Sequence, residues 1–113
     1  MDLDKSGPIK TIPLDESAAA SNVLVAAVSD GNRNAIRIMQ VALVADSAVT
    51  ATFEDEDGTN LSGPMALAAN TPLVLPFSPA GWTDTIAAKG LNLLLGGAVQ
   101  VSGFLVYQEI QAG

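Results

Sequence analysis

The sequence contains no cysteine and no histidine among its 113 residues. Without cysteine there is no disulfide framework and no thiolate metal site, and without histidine there is no imidazole ligand. The side chain that most often serves as a general base near neutral pH is also missing, which excludes a Ser–His–Asp triad. We therefore expect a protein that is not an enzyme, with no catalytic residue, no bound metal and no cofactor.

Basic residues are scarce as well. Five lysines and arginines stand against twelve acidic residues, which gives a formal net charge of −7. A nucleic-acid interface needs concentrated positive charge, and these five residues are scattered along the chain. The uncharged stretch 91–108 is interrupted by glycine and polar residues, whereas a membrane-spanning helix needs about 20 predominantly apolar residues. We expect neither nucleic acid nor a membrane as a partner.

The chain does have many short aliphatic runs separated by turn residues. Turn signals recur at 55–58, 62–64, 70–72, 78–81 and 96–97, the first four of them about eight residues apart. This spacing is typical of an all-β protein with two packed sheets. We predict a two-sheet antiparallel sandwich of jelly-roll or Greek-key type over 19–113, preceded by an extended N-terminal arm over 1–18.

The longest predicted strand is Ala35–Ala45, which is apolar on both faces apart from Arg37 and Gln40. Helix is the rival interpretation, and the β-branched content favours a strand. A strand with two apolar faces should lie centrally in its sheet or face a neighbouring subunit. Before it, a strand over 22–29 and a turn at 30–32 are predicted.

The remaining strands follow from alternation and from proline. In 48–54 the alternation directs Phe53 toward the core and places Thr52 and Glu54 in water. Prolines bound the short runs 65–68 and 73–77, which are therefore predicted at sheet edges. The runs 91–95 and 99–110 are predicted to form a closing hairpin around the glycine pair.

The predicted arm contains three spaced apolar residues, Ile9, Ile12 and Leu14. Each could fill a small pocket on a neighbouring molecule, although a disordered terminus is an equally open interpretation. These three residues, together with Arg37 on the long strand, are the candidate contacts to another subunit or to a larger assembly.

An acidic run over 54–57, followed by Gly58 and Asn60, raises a calcium hypothesis because calcium takes carboxylate ligands. The EF-hand spacing fails, since aligning Gly58 with the invariant glycine places Phe53 and Pro64 at the first and last ligand positions. A solvated hairpin tip is the preferred interpretation. A calcium-stabilised connector or adhesion subunit stays open as an alternative.

Trp82 is the only tryptophan and Tyr107 the only tyrosine. We predict that Trp82 is a structural anchor, which pins the loop over 78–84 and hydrogen bonds through its indole N–H. A carbohydrate-binding or host-recognition module would instead expose Trp82 or Tyr107 as a stacking platform.

The segments 63–70, 73–77, 79–82, 91–93 and 99–107 together resemble small structural proteins of tailed bacteriophages, over roughly 35–110. The resemblance lies in the pattern of strands and turns and includes no catalytic signature. It implies a β-sandwich that decorates or cements the outer capsid surface, commonly as a homotrimer that contacts the major capsid protein. Such a protein is made in the host cytoplasm and ends in the virion. A tail-associated module that recognises the host is the alternative.

Overall fold

The computed structural model describes residues 6–27, 34–86 and 88–111. These residues form nine strands: β1 Ser6–Glu16, β2 Ser21–Val25, β3 Ala35–Ala45, β4 Val49–Asp55, β5 Met65–Leu67, β6 Leu73–Leu75, β7 Thr83–Asp84, β8 Leu91–Leu95 and β9 Val101–Ile110. Among them no helix is long and apolar enough to cross a membrane.

The strands form two antiparallel sheets that pack as a sandwich. Sheet A has the order β1–β9–β3–β6, with the short β7 also paired to β3, and sheet B has the order β2–β8–β4–β5. The chain alternates between the sheets so that its first and last long strands lie side by side. This interleaved order is that of a jelly roll. The predicted two-sheet antiparallel sandwich is confirmed, and the strand order selects the jelly roll.

The core lies between the sheets and is almost entirely aliphatic. Alternate residues of the central strands β3, β4, β8 and β9 point inward and are buried, and Phe53 is the largest of them. Each such side chain contributes about 1.5–3 kcal/mol through removal from water. The central position expected for Ala35–Ala45 is confirmed, because β3 lies between β9 and β6.

The predicted arm is a strand of the sandwich. Ser6–Glu16 pairs with β9 along its length, with Ile12 opposite Leu105 and Leu14 opposite Gly103. Every second residue of an edge strand can face the core, and both Ile12 and Leu14 do so here. Proline is tolerated in this strand because it lies at a sheet edge. Residues 1–5 lie outside the described part of the chain.

The predicted closing hairpin is wrong, because β8 belongs to sheet B and β9 to sheet A. The glycine pair at 96–97 carries the chain from one sheet to the other. The predicted edge positions of β5 and β6 are confirmed, since each ends its sheet. The predicted turn at 30–32 lies outside the described residues.

Candidate functional site

The outer face of sheet A carries a row of apolar side chains across all four of its main strands. The register places Pro13 of β1 opposite Phe104 of β9, Phe104 opposite Ala42 of β3, and Ala42 opposite Val74 of β6. We call these four residues the apolar row. Val74, on the edge strand β6, is 56% exposed, and Phe104, on the interior strand β9, is 38% exposed. The sheet therefore presents apolar surface away from its own core.

A shallow apolar depression of about 200 Å³ lies beside Phe104. It is lined by Ala42, Leu43, Val44, Pro72, Ser102, Gly103 and Phe104. Its shape depends on Gly103, whose φ is +154° and which closely approaches β3. A Cβ at this position would overlap the carbonyl oxygen of Ala42 and lie 2.7 Å from the Cα of Leu43. Only glycine fits there, so the depression is built into the backbone.

The other end of the same face is polar and aromatic. Arg37 on β3 lies opposite Asp84 of β7, and its guanidinium donates two hydrogen bonds to that carboxylate, from Nε at 2.8 Å and from Nη2 at 3.0 Å. Hydrogen bonding to Asp84 is the main reason that the pKa of Arg37 is raised. Trp82 lies two residues before Asp84 and is 47% exposed.

Hydrogen bonds to β3 hold the loop that carries Trp82. The backbone N–H groups of Ser78 and Trp82 donate to the carbonyls of Met39 and Ile38, at 2.9 and 2.8 Å. The indole N–H of Trp82 donates to the carbonyl of Pro76 at 2.9 Å. The Trp82 side chain therefore has its single polar group satisfied within the loop, and what it exposes is apolar ring.

The outer face of sheet B is organised differently. The hydroxyl of Ser21 on β2 donates to the carboxylate of Glu54 on β4. Because β8 lies between these strands, the Glu54 side chain crosses it, and Glu54 is only 4% exposed. The prediction that Thr52 and Glu54 face water is wrong: both point away from the core but are buried. A long side chain laid flat on a sheet covers its neighbours.

The acidic turn after β4 is bound to a neighbouring loop. The Asp55 carboxylate accepts hydrogen bonds from the backbone N–H groups of Asp57 and Thr59 at 2.9 and 3.1 Å, which closes the turn. Asp57 pairs with the Lys89 ammonium at 3.0 Å, and this contact raises the pKa of Lys89. In the described part of the chain, no three acidic, histidine or cysteine side chains are grouped to hold a metal ion.

Two buried side-chain oxygens have no hydrogen-bond partner among the described residues, Asp55 Oδ2 and Asn92 Oδ1. Asn92 lies opposite Glu54 on the outer face of sheet B. Both oxygens belong to the polar surface that covers sheet B and its acidic turn, whereas the apolar row lies on the opposite side of the sandwich.

The contact residues predicted from the arm separate into two sets. Leu14 is 2% exposed and belongs to the core, and Ile12 packs against that core. They fill their own sandwich, so the expectation that they dock on a neighbour is corrected for both. Ile9 faces outward on sheet A and is about half exposed. Among the three, Ile9 alone is accessible to another molecule.

Arg37 and Trp82 lie together at the β7 end of sheet A, while Tyr107 is buried in the core. Sequence reasoning missed Phe104 and Val74, which are the exposed large hydrophobic residues of the apolar row. A signal for them was present, since β3 is apolar on both faces. A strand with two apolar faces in a two-layer protein implies that its outer neighbours are apolar as well.

Comparisons with known proteins add a likeness in fold. No family model matches the sequence, and no curated protein matches it significantly. A solved structure from Bacillus endospore appendages, described as a novel family of disulfide-linked pili, is similar at 13% identity and a TM-score of 0.48. The similarity covers 93% of this chain and 88% of that chain. The chain itself is a small two-sheet antiparallel β-sandwich.

Proposed function

We propose that this protein is a non-catalytic structural subunit whose copies associate through the outer face of sheet A. The observation that carries the proposal is the apolar row, which crosses all four main strands of sheet A and keeps Phe104 and Val74 exposed. Contiguous exposed apolar surface marks interaction sites in soluble proteins. The sequence has no cysteine, so contacts between copies would be noncovalent.

The distribution of charge favours a second copy as the occupant of this face. At a net charge of −7, two copies repel one another on most lines of approach. The apolar row is uncharged, and Asp84 at the end of the face is neutralised by Arg37. An approach through sheet B would instead bring two acidic turns over 55–57 close together. The apolar row therefore brings no charge of its own into the contact, although Asp15 is exposed two residues beyond Pro13 on β1.

The depression beside Phe104 suggests how two copies fit together. A volume of about 200 Å³ accommodates a phenyl ring, and its lining residues are largely apolar. The Phe104 ring of one copy can occupy the depression of the next. In a closed ring of three, each copy would supply one ring and receive one. We therefore retain the homotrimer as the proposed assembly.

The finer form of the proposal is a decoration or cement subunit on the outer surface of a tailed-phage head. Its supports are the sequence resemblance over 35–110 and the jelly-roll fold, which recurs in viral capsid proteins. The protein would be made in the host cytoplasm and bind the major capsid protein. Symmetry would multiply weak contacts into high avidity. Fold alone does not define function, so the capsid partner requires its own test.

Sedimentation velocity of Phe104→Thr and Val23→Thr variants tests the self-association. Val23 is 64% exposed on the opposite sheet, so its variant is a matched apolar-to-polar control. We expect the wild type and Val23→Thr to sediment at three times the 11.5 kDa monomer mass at micromolar concentration, and Phe104→Thr to sediment as a monomer. A monomeric wild type, or a Val23→Thr variant that dissociates equally, would contradict the proposal.

Cryo-electron microscopy tests the capsid setting separately. Purified protein would be mixed with undecorated phage heads, and ordered copies would be counted at the symmetry axes. We expect wild-type copies at these axes and none for Phe104→Thr. Bare heads with wild-type protein would remove the capsid partner from the proposal, whereas the sedimentation result would still decide self-association.

A further inference from the structure

Trp82 is exposed without any unsatisfied polar group that would require water. Its indole N–H already bonds to Pro76, yet 47% of the residue is accessible. Phe77, one residue after Pro76, is 46% exposed. Two half-exposed aromatic residues thus lie at either end of one short loop. This pair is distinct from the apolar row, which lies further along the face.

The loop is rigid enough to act as a preformed surface. Besides the two bonds to β3, the N–H of Gly81 donates to the Ser78 carbonyl at 2.9 Å. Gly81 has a φ of +80°, and a Cβ there would overlap the aliphatic part of Arg37. The Arg37 side chain therefore packs directly on the turn that precedes Trp82. Such preorganisation lowers the entropic cost of binding a ligand.

The bidentate ion pair between Arg37 and Asp84 adds polar groups beside the two aromatic residues. Trp82 lies in the bend directly before β7, and Asp84 is the second residue of that strand. The Asp84 and Arg37 side chains remain 40% and 30% exposed. Their outer oxygens and nitrogens are accessible to hydroxyl groups of a ligand.

We propose that Trp82, Phe77 and the Arg37–Asp84 pair form a shallow binding site for a neutral saccharide. The apolar face of one sugar ring would stack on Trp82, and its hydroxyls would donate to Asp84 and accept from Arg37. Small-ligand sites commonly combine apolar walls with a few fixed polar groups in this way. Since Asp84 cancels the charge of Arg37 and the chain is acidic, the site offers no net positive charge for an acidic sugar.

The test is a fluorescence titration, because Trp82 is the only tryptophan and its emission reports on the site directly. The probes are six neutral hexasaccharides, built from α-glucose, β-glucose, galactose, mannose, xylose and N-acetylglucosamine. We expect a saturable change in emission with at least one of them. If no probe changes the emission, the saccharide site is overturned. Emission that changes only with protein concentration would assign Trp82 to a contact between copies and would also overturn it.

Variants distinguish stacking from a nonspecific response, with affinity followed by calorimetry. Trp82→Phe keeps a ring and should retain binding, whereas Trp82→Leu and Phe77→Ala should weaken it. Asp84→Asn removes a hydrogen bond to a charged acceptor and should lower the affinity about tenfold. Val23→Thr, on the opposite sheet, serves as the control, and it should bind the saccharide like the wild type. Equal binding by Trp82→Leu and the wild type would overturn the proposal, whatever the oligomeric state.

Discussion

The outer faces of the two sheets differ in their side chains, although both sheets are antiparallel. Polar side chains bond to one another on sheet B, and apolar side chains are exposed on sheet A. On sheet B, Glu54 crosses β8 to reach Ser21, so the polar groups satisfy each other and cover the sheet. On sheet A, the apolar row lies open, with Phe104 beside an apolar depression. Sheet B exposes Val23 on its edge strand β2, opposite the polar Asn92, whereas the apolar side chains of sheet A adjoin one another across four strands. The difference identifies the side of the protein on which function should be sought.

The largest loss of stability is expected for Gly103→Ala, because the shape of the depression on sheet A depends on Gly103. The added Cβ would overlap the Ala42 carbonyl, and the φ of +154° is unfavourable for any residue except glycine. We expect the free energy of unfolding to fall by about 3 kcal/mol or more, as measured by urea denaturation.

Gly97→Ala is the matched control for this change. A Cβ on Gly97 would meet its nearest neighbour, a methyl group of Val49, at an ordinary 3.9 Å. Its unfolding free energy should stay within about 0.5 kcal/mol of the wild type. Equal stability of the two variants would mean that β9 does not approach β3 as closely as the structure indicates.

The second largest loss of stability is expected for Ser21→Ala, which removes the hydrogen bond to Glu54 on the outer face of sheet B. The variant leaves the buried Glu54 carboxylate without the Ser21 hydroxyl that bonds to it. Hydrogen bonds to charged groups contribute about 1.5–3 kcal/mol, so the unfolding free energy should drop by about 2 kcal/mol. Ser47→Ala, at an exposed position, is the control and should change little. An unchanged Ser21→Ala protein would show that the Glu54 carboxylate is solvated.

Glu54 also shows how far sequence reasoning reaches. Alternation correctly places Phe53 inward and Glu54 outward, because period 2 fixes the face of a strand. Alternation does not say whether an outward side chain is exposed to solvent. For Glu54, burial depends on its hydrogen bond to Ser21, which lies two strands away in the sheet. Proline correctly identified the edge strands, since that rule is local.

Pairing between distant segments was the part that the sequence did not predict. Ser6–Glu16 pairs with a strand at the other end of the chain, and Leu91–Leu95 does not pair with its successor. Turn residues mark where strands end. They do not distinguish a hairpin within one sheet from a connection between the two sheets, because both use the same residue types. Likewise, Phe104 and Val74 are remote in sequence and meet only through Ala42, so the apolar row appears once the registers are known.

Salt should produce a smaller effect that distinguishes the two faces as contact surfaces. If copies meet through the uncharged apolar row, the main opposing force is repulsion between acidic molecules. Raising the ionic strength shortens the Debye length from about 30 Å at 0.01 M to about 3 Å at 1 M. Self-association measured by sedimentation should therefore strengthen with salt. Association that weakens with salt would point to a contact between opposite charges and away from the apolar row.

The smallest expected effect concerns the acidic turn after β4, where Lys89 pairs with Asp57. The hydrogen bond and the attraction to Asp57 raise the pKa of Lys89 above its ordinary 10.5 in the folded protein. A raised pKa stabilises the fold fully below 10.5, and this contribution is lost as the pH rises through the higher folded value. Lys89→Gln should therefore be slightly less stable than the wild type at neutral pH, as measured by thermal unfolding.

The same pair gives a pH signature that a purely structural change at Lys89 would lack. The stability difference between wild type and Lys89→Gln should shrink in buffers well above pH 10.5, because the wild-type ammonium is then neutral. Lys10→Gln is a useful comparison, since Lys10 and Glu109 form an ion pair within sheet A. A difference for Lys89→Gln that persists unchanged at high pH would mean that its aliphatic chain, rather than its charge, holds the turn against the loop at 88–90.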